Sequence, residues 1–300
     1  YGLPFMYAPQ ILFYRKDLFC DQDIKNEYKK FCGEKLGLPR TWDEFNQIAR
    51  FFTENAKAPV KYGTAVSAAY VECIVPEIYM RMRAYGGEVF NESFKVTLYS
   101  EGTLKAYKNF AGLYKTCSPD CAKFDDNAVV DEFLKGNIAM LVTYPSFIPN
   151  INDLQRSCLT GNVGFANIPG KCPVLGGWSL GVSAHSKNKK EACRFIEWAC
   201  GEELAKYKTL MSGQSAVLDV FDNNELISLY PWLPLYKNVY EMSEPVVPPH
   251  KAGKEIIGQE KIDKIVSAGI YSILKGESSV ESAVYKSHTE LKKLFEKYSY

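Results

Sequence analysis

The chain reads as an α/β protein that ends in helices. Three observations predict this. Short apolar runs of strand type alternate with helical periodicities through the first two hundred residues. Two long helical patterns close the chain. An apolar share of 46% against 24% charged residues is that of a folded globular chain and not of a disordered one. A length of 300 residues suits about two domains, and no internal repeat or low-complexity segment is visible.

The first strand is expected over 7–14, where Ile11, Leu12, Phe13 and Tyr14 form an apolar run after Pro9, and Arg15-Lys16-Asp17 ends it. The next element is a helix starting at Thr41. Thr41 with Glu44 three residues on makes a capping box, and Trp42, Phe45, Ile48, Ala49 and Phe52 share one face. A second helix is expected over about 100–115, with Leu104, Tyr107, Ala111 and Tyr114 on one side. A third covers about 127–135 and stops at Gly136, a C′ residue free to turn left-handed. Strands follow at 138–143, at 163–168 before Pro169-Gly170, and at 178–183. Ser186 then precedes a long helix whose buried face is expected to hold Ala192, Phe195, Ile196 and Ala199. Beyond Gly213 the prolines at 231, 234, 245, 248 and 249 predict an irregular stretch. Helices over about 254–274 and 278–297 close the chain, the second opened by a capping box of Ser278 and Glu281.

Composition excludes several functions. Lys and Arg total 36 against 35 Asp and Glu, so the net charge of +1 lacks the basic excess of a bulk nucleic-acid binder. Apolar runs such as 138–142 fall far short of the ~20 residues of a membrane span. The 20 Tyr and 17 Phe suit either a concave surface that stacks flat ligands or a large core. None of the phosphate-loop, dinucleotide, zincin or serine-hydrolase strings occurs. No catalytic residue, metal ligand or cofactor is therefore expected. His185 and His288 sit in charged surroundings that suit solvent-exposed or capping roles.

Nine cysteines cannot all pair internally. Cys193 and Cys200 lie within an apolar helical pattern and are expected to be core thiols. Cys117-Ser-Pro-Asp-Cys121 is a loop pair able to close a small disulfide, without the second pair a zinc site needs. So many unpaired thiols fit a cytosolic or anaerobic setting better than an oxidising one. The chain begins at Tyr1 without initiator Met or signal-type apolar core, so the numbering is expected to start inside a longer gene product.

Four strings in order carry a resemblance. They are Tyr-Gly-Leu-Pro-Phe-Met-Tyr (1–7) running into Leu-Phe-Tyr-Arg-Lys-Asp-Leu-Phe (12–19), Leu-Pro-Arg-Thr-Trp-Asp-Glu-Phe (38–45), Phe-Leu-Lys-Gly-Asn-Ile-Ala-Met (133–140), and Gly-Gly-Trp-Ser-Leu-Gly-Val-Ser (176–183) with Ser-Lys-Asn-Lys-Lys-Glu-Ala-Cys-Arg-Phe-Ile (186–196). Across nearly the whole chain this resembles the extracellular solute-binding proteins of family 1, the maltose-binding-protein-like sugar receptors of bacterial ABC importers. The resemblance implies a class II periplasmic-binding-protein-like fold: two α/β lobes, a hinge of crossing strands, and closure on ligand. It implies a first lobe made of 1–10 and 177–224 and a second of 11–172 and 225–300. The first lobe is expected to be incomplete, because the family carries roughly another hundred residues, a domain's worth of chain, before the first string. Its remnants are then expected to expose apolar surface.

The resemblance also implies the ligand residues. By position these are Tyr7 and Gln10 at the hinge strand, Tyr144 and Phe147 after Ala-Met, Gly177 and Trp178 at the Gly-Gly-Trp, and Tyr70 and Glu72 from a loop that faces the cleft in relatives. Trp178 either stacks on ligand or packs the hinge. Ser146 stands where maltose-binding relatives have a stacking Trp, so Tyr144 or Phe147 substitutes for it or the ligand is not a stacked oligosaccharide. The implied function is a non-enzymatic carbohydrate receptor, monomeric, delivering ligand to ABC permease subunits. Its implied place is the extracellular or periplasmic face, lipid-anchored through the missing segment. The alternative is a cytoplasmic sugar sensor fused to a DNA-binding or signalling module. A glycosidase, needing only two placed carboxylates, is the third reading.

Overall fold

Two separate sheets organise the chain. The computed structural model describes residues 2–55, 57–212, 214–246 and 257–298. β1 (Leu3–Tyr7) pairs antiparallel with β5 (Gly177–Leu180), placing Met6 opposite Trp178 and Tyr7 opposite Gly177. β2 (Ile11–Arg15) is the centre of the other sheet, between β3 (Met140–Thr143) and β4 (Val163–Ala166), both antiparallel to it. Ile11, Leu12 and Phe13 are fully buried because elements cover both faces of this strand, which is why its sequence is an unbroken apolar run. Gly164 faces Tyr14 closely: a Cβ there would lie 2.2 Å from the ring.

The strand expected over 7–14 is thus two strands broken at Ala8-Pro9-Gln10, since Pro9 offers no amide to a ladder. The chain also turns directly into α1 (Lys16–Cys20) and α2 (Gln22–Cys32), neither of which was anticipated. The Asp21 side chain caps α2 at the Ile24 amide, and Gly33 ends it at φ 82°. α3 (Trp42–Glu54) starts as expected, with Thr41 Oγ1 accepting from the Glu44 amide at 3.1 Å. The Glu44 carboxylate accepts from the Arg40 amide, one residue earlier than a standard capping box. α4 (Val71–Ala84) was missed as well; Pro76 sits inside it, and Ile74, Val75 and Glu77 through Met82 are buried. α5 (Glu101–Tyr114) and α6 (Asp126–Leu134) match expectation, and Gly136 turns the chain at φ 76°. The short α7 (Ile148–Ile151) follows β3.

The later half departs further. α8 (Lys189–Cys200) buries Ile196 and Ala199, but Phe195 is 58% exposed and Cys193 is exposed. The expected buried face is only half covered, because no described element packs over its other half; the core-thiol expectation fails at Cys193 for the same reason. α9 (Glu202–Ser212) follows. The stretch beyond Gly213 is not irregular. It forms a 3₁₀ turn (Leu218–Asp222), α10 (Asn224–Leu229) and α11 (Leu233–Met242), because Pro231 lies between helices and Pro234 occupies a first turn, where no amide is lost. Pro248, Pro249 and His250 lie outside the described residues, as does the expected start of the next helix. α12 is described over Gln259–Leu274 and α13 over Val280–Lys297. The α13 cap is Ser279, not Ser278: the Ser279 Oγ accepts from the Ser282 amide, while the Ser278 amide still points back at the Ser272 carbonyl of α12.

The main core gathers α3, α4, α5, α12 and α13 with the β3-β2-β4 sheet. At its centre the fully buried Arg81 stacks 3.9 Å over Trp42 and pairs with Glu77 at 2.6 Å.

Candidate functional site

The two sheets are joined by segments that run side by side. The Ala8 amide donates to the Gly176 carbonyl at 2.9 Å, and the Val174 amide donates to Gln10 Oε1 at 3.1 Å. Gln10 is 3% exposed, so this side chain spends its carbonyl on the neighbouring crossover. Its amide donates to the Tyr144 hydroxyl at 3.3 Å, which ties the crossover to the residue following β3. Burial raises the Tyr144 phenol, the nearby Asp126 raises it further, and the Gln10 contact opposes both. Tyr144 therefore stays a neutral donor at physiological pH.

Around Tyr144 two helix starts converge. Asp126 opens α6, and Glu72 and Cys73 lie in the first turn of α4; Asp126 and Cys73 both act electrostatically on Tyr144. Burial pushes the Asp126 carboxyl up, Asp125 adds to this, and a hydrogen bond from Ser67 opposes them. The N-terminal end of a helix favours a carboxylate, and here burial outweighs it. Asp126 and Ser67 were not singled out in the sequence. The doublet Asp125-Asp126 was the available signal: Asp125 is the N-cap, accepting from the Ala128 amide at 2.8 Å, which leaves the second acid without a capping role.

The other expected residues are placed as follows. Tyr7 lies at the end of β1, its ring 4.5 Å from that of Tyr240, and its carbonyl accepts from the Tyr236 hydroxyl. The hydrogen bond with Tyr7, helped by burial, pushes the Tyr240 phenol up to about 12. Phe147 is partly buried and packs on the main core. Gly177 must be glycine, since a Cβ would come within 2.7 Å of the Met6 carbonyl. Trp178 is 70% exposed and has no ring contact or side-chain hydrogen bond among the described residues. Tyr70 and Glu72 are exposed and belong to the start of α4 and not to a loop, Tyr70 being its N-cap. The structure thus brings Gln10 to Tyr144 and Tyr7 to Gly177, and leaves Trp178 and Tyr70 presented to solvent.

Chemically, this is a set of neutral and acidic hydrogen-bonding groups beside aromatic rings, able to grip a polar solute. Among the described residues no group of three or more His, Cys, Asp or Glu is placed to hold a metal ion, and no helix is long and apolar enough to cross a membrane. His185 is exposed in its loop as expected, and His288 Nδ1 accepts from the Tyr99 amide. A cavity of about 470 Å³ is lined by none of these residues; it lies between the end of α4 with residues 86–90 and the segments at Cys172-Pro173 and Glu244-Pro245-Val246. Arg83 crosses its wall to donate to the Glu244 and Pro245 carbonyls.

The sequence profile of the family described as bacterial extracellular solute-binding protein matches residues 1–206. A probable amino-acid ABC transporter periplasmic-binding protein of Sinorhizobium fredii is 24% identical over 234 residues, which are 77% of this chain and 53% of that protein. A probable ABC transporter-binding protein of Deinococcus radiodurans is 22% identical over 93% of this chain and 65% of its own length. The chain thus spans between half and two thirds of the length of these curated relatives. Maltose-bound MalE3 of T. maritima superposes with a TM-score of 0.82 at 22% identity, over 98% of this chain and 72% of that one. These likenesses establish the periplasmic-binding-protein fold.

Proposed function

The chain belongs to the bacterial extracellular solute-binding protein family, and from that premise we propose that it forms most of the ligand receptor of an ABC importer, with a carbohydrate or polyol as its ligand. The observation that carries the reading is the Gln10–Tyr144 bond at the crossover between the sheets, with Asp126 and Ser67 beside it. Neutral hydroxyl and amide groups backed by one carboxylate match the donors and acceptors of a hydroxyl-rich solute. MalE3 is described with maltose, and an Agrobacterium radiobacter solute-binding protein of TM-score 0.79 and 22% identity is described with ribitol, which supports the same ligand class.

In this reading residues 1–10 and 177–224 belong to one lobe and 11–172 and 225–300 to the other. The separate β1–β5 sheet supports the division. Phe221 and Tyr236 pack 4.8 Å apart across the boundary proposed at residue 224. Exposed apolar side chains along α8 and α9 fit a lobe that further polypeptide completes. Ligand contacts made to both lobes favour the closed state. The receptor works as a monomer at the outer face of the membrane, held there by a lipid anchor, and hands its ligand to the permease subunits.

A thermal-shift panel of mono- and oligosaccharides, polyols and amino acids on the intact gene product tests this. Ligand at a hundred times its dissociation constant adds about 2.7 kcal/mol of stability. A dose-dependent shift with a sugar or polyol that is not consumed supports the reading, and a shift with amino acids alone replaces the ligand class. Trp178→Ala then weakens binding by about 1 kcal/mol or more if the indole stacks on ligand. Unchanged affinity in calorimetry assigns Trp178 to the hinge instead.

A further inference from the structure

The motif Cys117-Ser-Pro-Asp-Cys121 takes no part in the proposed site. α5 ends at Tyr114, and the chain then makes a 3₁₀ turn over Pro119–Lys123, started by Pro119 and held by the Ser118 side chain on the Asp120 amide. This turn folds Cys121 back onto Cys117 and brings the two sulfurs to 3.2 Å. Both thiols are buried, and among the described residues no other two cysteines have their sulfurs in contact. Forming the bond requires each side chain to move by about half an ångström, since a disulfide spans ~2.05 Å.

The turn also holds the segment that leads to Tyr70. Cys121 Sγ accepts from the Val66 amide at 3.3 Å, and the Phe124 carbonyl accepts from the Ala68 and Ala69 amides, both at 3.0 Å. We propose that Cys117 and Cys121 are a redox-active pair that closes to a disulfide when the chain folds under oxidising conditions, and that closure clamps residues 66–69 beneath Tyr70. The inference rests on this geometry and is independent of the ligand.

The chemistry balances with a small-molecule disulfide such as glutathione disulfide as oxidant. The thiolate of Cys121 attacks one glutathione sulfur and expels a glutathione thiolate, leaving a mixed disulfide. Cys117 gives up its proton and attacks Cys121 Sγ, expelling the second glutathione. Two protein thiols are oxidised by two electrons and the oxidant becomes two glutathione thiols. Because both sulfurs are buried, exchange occurs before the turn closes, and the finished bond is shielded from reductant.

The test is refolding of the full chain with either glutathione disulfide or reduced glutathione, then denaturation, alkylation and tryptic digestion. Lys115 and Lys123 bound one peptide, residues 116–123, that holds both cysteines. The expected result after oxidative refolding is this peptide unalkylated and lighter by two hydrogen atoms. A doubly alkylated peptide there, or Cys117 or Cys121 bonded to a different cysteine, overturns the proposal. Hydrogen exchange on the same two wild-type samples reads the clamp, so no variant has to fold. The Val66, Ala68 and Ala69 amides exchange several-fold more slowly in the oxidised form, and equal rates overturn the clamping.

Discussion

The body built on β3-β2-β4 and the one built on β1–β5 bury their apolar surface to different extents. In the first, β2 is covered on both faces, and α3 with α4 and α5 seals Trp42, Phe45, Ile78 and Phe110 to 2% exposure or less. In the second, β1 pairs only with β5, and α8 covers the sheet with Ile196 and Ala199 while Leu3, Trp178, Phe195 and Trp198 face solvent. The same helical periodicity produces a closed core in one region and a half-covered helix in the other. Apolar spacing reports which face of a helix seeks cover; a partner element must still supply it.

The comparison breaks most severely at Trp42. Its ring is buried against Phe45 and carries the Arg81 guanidinium at 3.9 Å. Trp42→Ala leaves a cavity and strips the stacking ring from the buried, Glu77-paired Arg81, so stability measured by urea unfolding falls by about 3–5 kcal/mol. A loss under ~1 kcal/mol sinks the claim that this region is the closed core.

A smaller effect is expected at Thr41, where Thr41→Ala removes the cap on the Glu44 amide and costs about 1 kcal/mol. Smaller still is the pair of Arg15 and Asp17, 2.5 Å apart at the end of β2. Partial burial pushes the Asp17 carboxyl up, and the hydrogen bond and charge of Arg15 outweigh it, so the net shift is downward. A carboxyl lowered in the folded state stabilises above its unfolded value, near 4, and that contribution disappears as pH falls through the folded value. Asp17→Asn therefore costs at most about 1 kcal/mol at pH 7, because Asp17 is partly solvated. The gap from wild type closes below about pH 4 in parallel unfolding titrations, and a constant gap across that range assigns the loss to packing.

The legible elements were those with both an N-terminal cap and a polar face. α3, α5 and α6 have Thr41, Ser100 and Asp125 as caps and a solvated side, so period and boundaries agree. α4 was illegible because it is buried nearly all round from Ile74 to Met82, which erases the period, and because Pro76 imitates a break. α2 had readable ends, Asp21 and Gly33, but buries only Tyr28, so its apolar stripe is faint. The candidate site divides in the same way. Gln10 and Tyr144 stand next to strands fixed by apolar runs, and motif position alone leads to them. Asp126 comes near Tyr144, and Ser67 near Asp126, only through long-range packing that local spacing does not encode.

The smallest expected effect sharpens the comparison most. Phe195 and Trp198 lie 5.8 Å apart on the outer side of α8, each more than half exposed. Replacing both with Ser removes apolar surface that is already in water, so little transfer free energy is lost. In the isolated 300-residue chain the double variant keeps its stability within about 0.5 kcal/mol and binds less of an apolar dye. The same pair introduced into a longer gene product that covers α8 costs several kcal/mol, because each ring then leaves a buried site. Equal effects in both backgrounds mean that nothing covers α8, and the half-covered helix is then a property of the finished molecule.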